Sequence, residues 1–153
     1  MATRFQYQVI LVAVDFSAPS RRALARALDL ARRLDARLEV AHVVQKLKPA
    51  VPFSSRNRAA VQRLQKELTE YARQRLGEFV PRARNVKVHT RVLAGVPDVA
   101  LLSHAERCKA DLIVLANRGH SPIEELLIGS TAERVLRSTT LPVLLVSVPR
   151  AGD

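Results

Sequence analysis

The sequence predicts a doubly wound α/β domain built on a parallel sheet, Rossmann-like in organisation. Three observations carry that expectation. Five strand-like runs recur along the chain, most of them apolar throughout rather than alternating, the mark of strands covered on both faces. Amphipathic helical segments separate them, in the order β-α-β-α-β-α-β-α-β. The 153 residues, 48% of them hydrophobic, suffice for one buried core, so the whole chain, 1–153, is expected to form a single domain without disulfide or metal.

The first run, Gln8 to Val14, is rich in β-branched residues and reads as a buried strand. Asp15 to Ser20 then forms a turn that ends in helix-start signals, a serine N-cap candidate with proline near the first helical position. Leu24, Ala27, Leu28, Ala31 and Leu34 repeat at helical spacing, with arginines on the other face. Leu38 to Val44 is a second strand, and Gln45 to Arg56 a loop with two prolines. From Asn57 to Phe79, Val61, Leu64, Leu68, Tyr71 and Leu76 mark the apolar face of a second helix. Val86 to Leu93 alternates like a strand, and Gly95 to Asp98 opens a helix that runs to about Cys108. Asp111 to Leu115 is a buried strand, a helix starts near Ser130, and Leu141 to Val148 is the last strand.

Composition narrows the function classes. One cysteine, Cys108, excludes an intrachain disulfide and fits a reducing compartment, so a cytoplasmic location is expected. Four scattered histidines offer no zinc spacing. The start of the chain lacks the apolar stretch of a signal peptide, and the longest apolar run is too short for a membrane span. The formal charge is +11, and residues 46–91 hold twelve of the Lys and Arg against three acids. That excess reads as a solvated basic face; without stacking aromatics or a base-reading element, any nucleic-acid binding is expected to be weak and non-specific.

In a doubly wound sheet, ligands sit beyond the carboxyl ends of the strands where the winding reverses. Two loops there carry suitable residues. One follows the first strand and holds Asp15 and Ser17; Asp15 reads as a ligand contact, with a turn-stabilising residue as the alternative. The other runs from Ala116 to Thr131. In it Gly119 and Gly129 suit positive φ and close backbone approach, and the following helix start offers free N–H groups to an anion. A bland alternative stands beside this: Ser130 and Glu133 have the spacing of a capping box, and Gly129 then merely turns the chain.

The motifs resemble the universal stress protein family. Gly119, nine residues, then Gly129-Ser130 is similar to the family's phosphate loop, G-x-x-G, nine residues, G-[S/T]. The flanking stretches Ala110–Val114, Ala132–Arg137 and Leu141–Val146, and the opening Ile10–Ser17 with Ser20–Leu24, are similar to the family as well. The resemblance spans about residues 8–148 and is weak at 45–85. It departs at Ala116, where nucleotide-binding members have the first glycine of G-x-x-G.

The resemblance implies strand order 3-2-1-4-5 with helices on both faces, and binding of ATP, ADP or AMP with Mg²⁺ held through the phosphates. It implies that Ala13, Val14 and Asp15 border adenine and ribose, and that Val43 meets adenine through its backbone, though Val43 also reads as plain core. Ala116 and Gly119 would line ribose and phosphates, and Gly129, Ser130 and Thr131 would hold the phosphates. Arg118 and His120 flank Gly119, either adding charge near the phosphates or remaining solvated. His42 is expected to be a core or pocket-edge histidine rather than a catalyst, and Cys108 to be inert. The resemblance further implies a homodimer paired through the C-terminal strand.

An adenine-nucleotide-binding stress regulator or sensor is the leading expectation. The chain lacks the Walker A pattern, an S-G-G-x-D-S loop and an H-x-G-H pair, and no nucleophile–base set can be argued from it, so slow ATP hydrolysis is the most enzymatic reading left. A nucleotide-free member acting through protein contacts, or weak nucleic-acid contacts, is the alternative.

Overall fold

The computed structural model describes residues 6–47, 55–118 and 128–147. Its elements are β1 (Val9–Ala13), α1 (Ala18–Leu34), β2 (Arg37–Val44), α2 (Ser55–Phe79), β3 (Val88–Ala94), α3 (Pro97–Cys108), β4 (Leu112–Ala116), α4 (Ser130–Ser138) and β5 (Val143–Val146). The five strands form one sheet in the order β3-β2-β1-β4-β5, and every pairing is parallel. Both the alternation of elements and the strand order therefore match the sequence expectation.

Because the central strands are apolar on both sides, each face of the sheet can seed a core. On one face Ile10, Val12, Leu38, Val40 and Val114 pack with Leu24, Ala27, Leu28 and Ala31 of α1 and Leu76 and Phe79 of α2. On the other, Leu11, Ala41, Ile113 and Leu115 pack with Leu101 and Ala105 of α3 and Ala132 and Val135 of α4. Burying each of the larger aliphatic side chains is worth roughly 1.5–3 kcal/mol.

α1 starts as the sequence signals predict: Ser17 is the N-cap, its side chain accepting from Ser20 N, with Pro19 in the first turn. β4 begins one residue later than expected because Asp111 serves its neighbour instead. Its Oδ2 accepts from the amides of Gln8 and Val9, both at 2.8 Å, which fixes where β1 enters the sheet. The last strand is shorter than expected, Val143–Val146. Leu141 and Pro142 lead into it, Pro142 O accepting from Ile113 N, and Val148 lies outside the described residues.

The expected apolar face of α2 is corrected in part. Leu64 and Tyr71 are exposed, and among the described side chains of this helix only Ala72, Leu76 and Phe79 are buried. Helical angle explains it: at about 3.6 residues per turn Leu64 and Tyr71 lie roughly 80–100° around the helix from Ala72, so they point off the face that packs on the sheet.

Gly95 closes β3 at φ +140°, with its amide bonded to Val44 O. An added Cβ would sit 3.8 Å from the Ala100 Cβ, an ordinary contact, so backbone strain alone sets the penalty. Gly95→Ala is expected to destabilise the fold by about 1–3 kcal/mol in urea unfolding. A change within the scatter of the method would contradict this account of the turn.

Candidate functional site

The winding reverses at β1, which pairs with β2 on one side and β4 on the other. A cleft of about 420 Å³ opens beyond the carboxyl ends of these strands. It gathers nine of the ten site residues expected from sequence: Ala13, Val14, Asp15, Val43, Ala116, Arg118, Gly129, Ser130 and Thr131. The tenth, Gly119, lies outside the described residues, as does His120. Ser20, Ala41, His42, Gln45, Pro97, Leu101, Leu115 and Ala132 complete the lining.

Most of the β1 side is committed to structure. Val14 N donates to Ala41 O at 2.9 Å, and Val14 O accepts from His42 Nδ1 at 2.8 Å, so the proton of a neutral His42 sits on Nδ1. Asp15 does fill its turn role: Oδ1 accepts from Ser17 N at 3.0 Å and from Ser17 Oγ. Ser20 Oγ in turn donates to Ser17 O at 3.0 Å. Between them Phe16 is held at φ +66°, a region costly for a bulky residue. Its ring is repaid by neighbours: His42 at 4.2 Å, Phe79 edge-on at 5.4 Å and the Arg75 guanidinium at 4.6 Å. Strain of this kind concentrates where a loop must hold one shape beside a ligand cleft. Val43 is half-buried, packs on the core and lines the cleft.

Across the cleft, the capping box does not form. Gly129 is the N-cap of α4, no side chain among the described residues caps the helix, and Glu133 pairs instead with Arg137 at 3.0 Å. The first helical amide with an intrahelical partner is Glu133 N, which donates to Gly129 O at 2.9 Å. The amides of Ser130, Thr131 and Ala132 therefore precede the helical ladder at the positive end of the dipole. One expectation about Gly129 is corrected: it sits at φ −68°, ψ 153°, extended backbone that any residue adopts. Only its missing side chain, not its dihedral freedom, is of use there. Arg118 Nε is buried with no hydrogen-bond partner among the described residues. Asn117 ties the region together through its backbone, its O accepting from Gly129 N and its N donating to Val146 O at 3.1 Å.

A second polar cluster escaped the sequence reading. Glu39 on β2 is 3% exposed and lies directly across the ladder from His89 of β3. His89 Nδ1 is 2.8 Å from Glu39 Oε1, Arg37 Nε 3.2 Å from the same oxygen, and His104 Nε2 3.4 Å from Oε2. The signal was present: a carboxylate inside a strand read as buried on both faces demands partners. Arg37 is two residues away on the same strand, but His89 and His104 are distant in sequence and become visible only once the register and the helix packing are known. Cys108 is half-buried nearby, and burial, assisted by the Glu39 charge, pushes its thiol up, in line with an unreactive cysteine.

Fold and cleft together define a class: a doubly wound α/β domain with a ligand cleft at its switch point and a helix start facing into it. The sequence signature of the universal stress protein family matches residues 6–147, and the chain belongs to that family. It is 33% identical over 145 residues to a universal stress protein of Methanocaldococcus jannaschii, covering 94% of this chain and 84% of that one. It is 30% identical to the universal stress protein YxiE of Bacillus subtilis, covering 92% and 99%. Among solved structures, the universal stress protein UspA from Lactobacillus plantarum shares the fold with a TM-score of 0.74 at 24% identity, covering 93% and 99%. A universal stress protein solved in complex with cAMP gives 0.60 at 28% identity, covering 94% and 98%. Among the described residues, no helix is long and apolar enough to cross a membrane.

Burial holds both His42 and His104 below the ordinary histidine value of 6.5, against the pull of the Val14 carbonyl and Asp15 on the first and of Glu39 on the second. The unfolded chain takes up these protons near 6.5 while the folded chain resists. Stability is thus full above that pH and falls as pH drops below it. The urea midpoint is expected to decline between pH 7.5 and 5.5, and less so in His104→Gln, which keeps an amide donor but cannot titrate. A midpoint that holds or rises on acidification would refute this assignment.

Proposed function

We propose that this chain binds an adenine nucleotide, ATP or its ADP and AMP relatives, in the cleft at the carboxyl ends of β1, β2 and β4. In this reading it acts as a stress-response sensor or regulator rather than as a turnover enzyme, in the reducing cytoplasm that its single cysteine suits. The observation that carries the reading is the pairing of unladdered α4 amides with a buried Arg118 Nε, without a hydrogen-bond partner among the described residues, on the rim of the same cleft. A relative whose structure holds cAMP lends the class of ligand.

The roles divide by chemistry. Gly129, Ser130 and Thr131 hold the phosphates through backbone amides and hydroxyls, with Arg118 adding charge and Gly119 and Ala116 lining the ribose side. Ala13, Val14, Asp15 and Val43 border the base and sugar. Mg²⁺ rides on the phosphate oxygens, as this small cation commonly does. Slow hydrolysis of a bound nucleotide is compatible with this arrangement. The basic excess of residues 46–91 supports only weak, salt-sensitive contact with nucleic acid.

Ala116 favours a second reading, a nucleotide-free member working through protein contacts. Its Cβ stands at the rim of the cradle and crowds a sugar or phosphate by roughly 1–3 kcal/mol. Each charge-assisted hydrogen bond to a phosphate returns about 1.5–3 kcal/mol, so several outweigh one methyl. Weakened rather than abolished affinity follows. Calorimetry with Mg-ATP is expected to show binding that Ala116→Gly tightens by about tenfold and Gly129→Val removes by blocking approach to the helix amides. No heat from the parent protein at millimolar Mg-ATP, and none restored by Ala116→Gly, would leave the nucleotide-free reading in its place.

We further propose that β5 pairs with its counterpart in a homodimer. It closes one edge of the sheet, and Leu144 on it is 37% exposed. Light scattering should give a dimer at micromolar concentration, and Leu144→Lys a monomer that still folds. A monomeric parent protein would count against the pairing.

A further inference from the structure

The cluster around Glu39 lines a cleft of its own, about 530 Å³, between the amino-terminal halves of β2 and β3 and the last turn of α3. It shares no lining residue with the first cleft. We propose that this second cleft is a binding site for a small phosphate-type oxyanion, either free phosphate or the phosphoryl end of a small metabolite.

Exposed, unpaired charge carries the inference. Three guanidiniums face the cleft, Arg37, Arg91 and Arg107, against the one carboxylate of Glu39. Arg37 answers that carboxylate from 3.2 Å and also donates Nη2 to Cys108 O at 3.0 Å. It thereby offsets both sources of negative potential in the floor, the buried acid and the carboxyl end of α3. Arg91 and Arg107 are exposed and have no ion-pair partner among the described residues, so their charge is unspent. Arg37 Nε and His104 Nε2 are buried and face the Glu39 carboxylate at 3.2 and 3.4 Å, so both are spent on the floor of the cleft. An added anion therefore meets the exposed guanidiniums of Arg91 and Arg107 rather than the buried donors beneath them. His89, half-buried at the rim, offers a further donor when protonated.

The guanidinium geometry selects the ligand class. Planar forks match the oxygens of a tetrahedral phosphoryl group bidentately, and two unpaired forks suit a dianion better than a single carboxylate. Leu93 and the Cys108 side chain form the apolar part of the wall, which limits the site to a compact group. The proposal is independent of nucleotide binding in the first cleft.

The histidines make the test local. In the full chain, inorganic phosphate is titrated at constant pH and ionic strength while the histidine Cε1–H resonances are followed by NMR. His89 and His104 report this cleft, and His42 the other. Saturable shifts of His89 and His104 at millimolar phosphate are expected. The exposed pair Arg91→Ala/Arg107→Ala should weaken that response at least about tenfold without changing the response of His42. Glycerol phosphate in place of phosphate separates the two sources: equal affinity marks free phosphate, and tighter binding marks a metabolite ester. No saturable response of His89 and His104 to either probe overturns the proposal, as does an unchanged affinity in the double variant.

Discussion

The reversal of winding at β1 is the constraint on which the rest of the molecule depends. β1 is extended by β2 on one side and β4 on the other, and the chain crosses from the α1 and α2 face to the α3 and α4 face only in passing through β3. Helices leaving adjacent strands in opposite directions cannot close the space between them, so a crevice at the carboxyl ends is a product of topology rather than of any side chain. Asp111 secures the same junction at its other end by taking both amides at the entrance to β1. Where the crevice falls is set by backbone path; what it can hold is set by Arg118, the start of α4 and the strained turn through Phe16.

Two carboxylates illustrate how position in the sheet decides their work. Asp15 stands at a carboxyl end, where the strand gives way to a turn, and its oxygen replaces the backbone partners that the turn forfeits. Glu39 stands inside the ladder, where all backbone bonds are made and the side chain alone is in debt. It draws Arg37 from its own strand, His89 from the next and His104 from the covering helix. A buried charge satisfied from three elements locks their mutual placement, since removing any partner leaves the rest of the charge uncompensated.

Much of this architecture was legible in the sequence. Continuous apolar runs such as Val9–Ala13 can be covered only on both faces, and the helical stripes between them leave few alternatives to parallel strands. The Ser17 cap and Pro19 marked the entry to α1 because those signals act within a few residues. What local pattern cannot see is which edge of an apolar stripe meets the sheet, and register. Leu64 and Tyr71 repeat at helical spacing like core residues, yet the buried face runs through Ala72, Leu76 and Phe79. Glu39 could be paired with His89 only once β2 and β3 were aligned. The capping box failed for a related reason: its residues had the right spacing, but the helix began one residue too early in the chain for Ser130 to be its cap.

Asn117 has a mechanical consequence. Through one peptide unit on each side it joins the end of β4 to the first turn of α4 and to the last residue of β5. The first turn of α4 can tilt only by stretching one of these bonds or by drawing the outermost strand along with it. The rim of the first cleft and the free edge of the sheet are thus hinged on a single residue. Strain introduced at either is shared by both, over a lever no longer than the width of two strands.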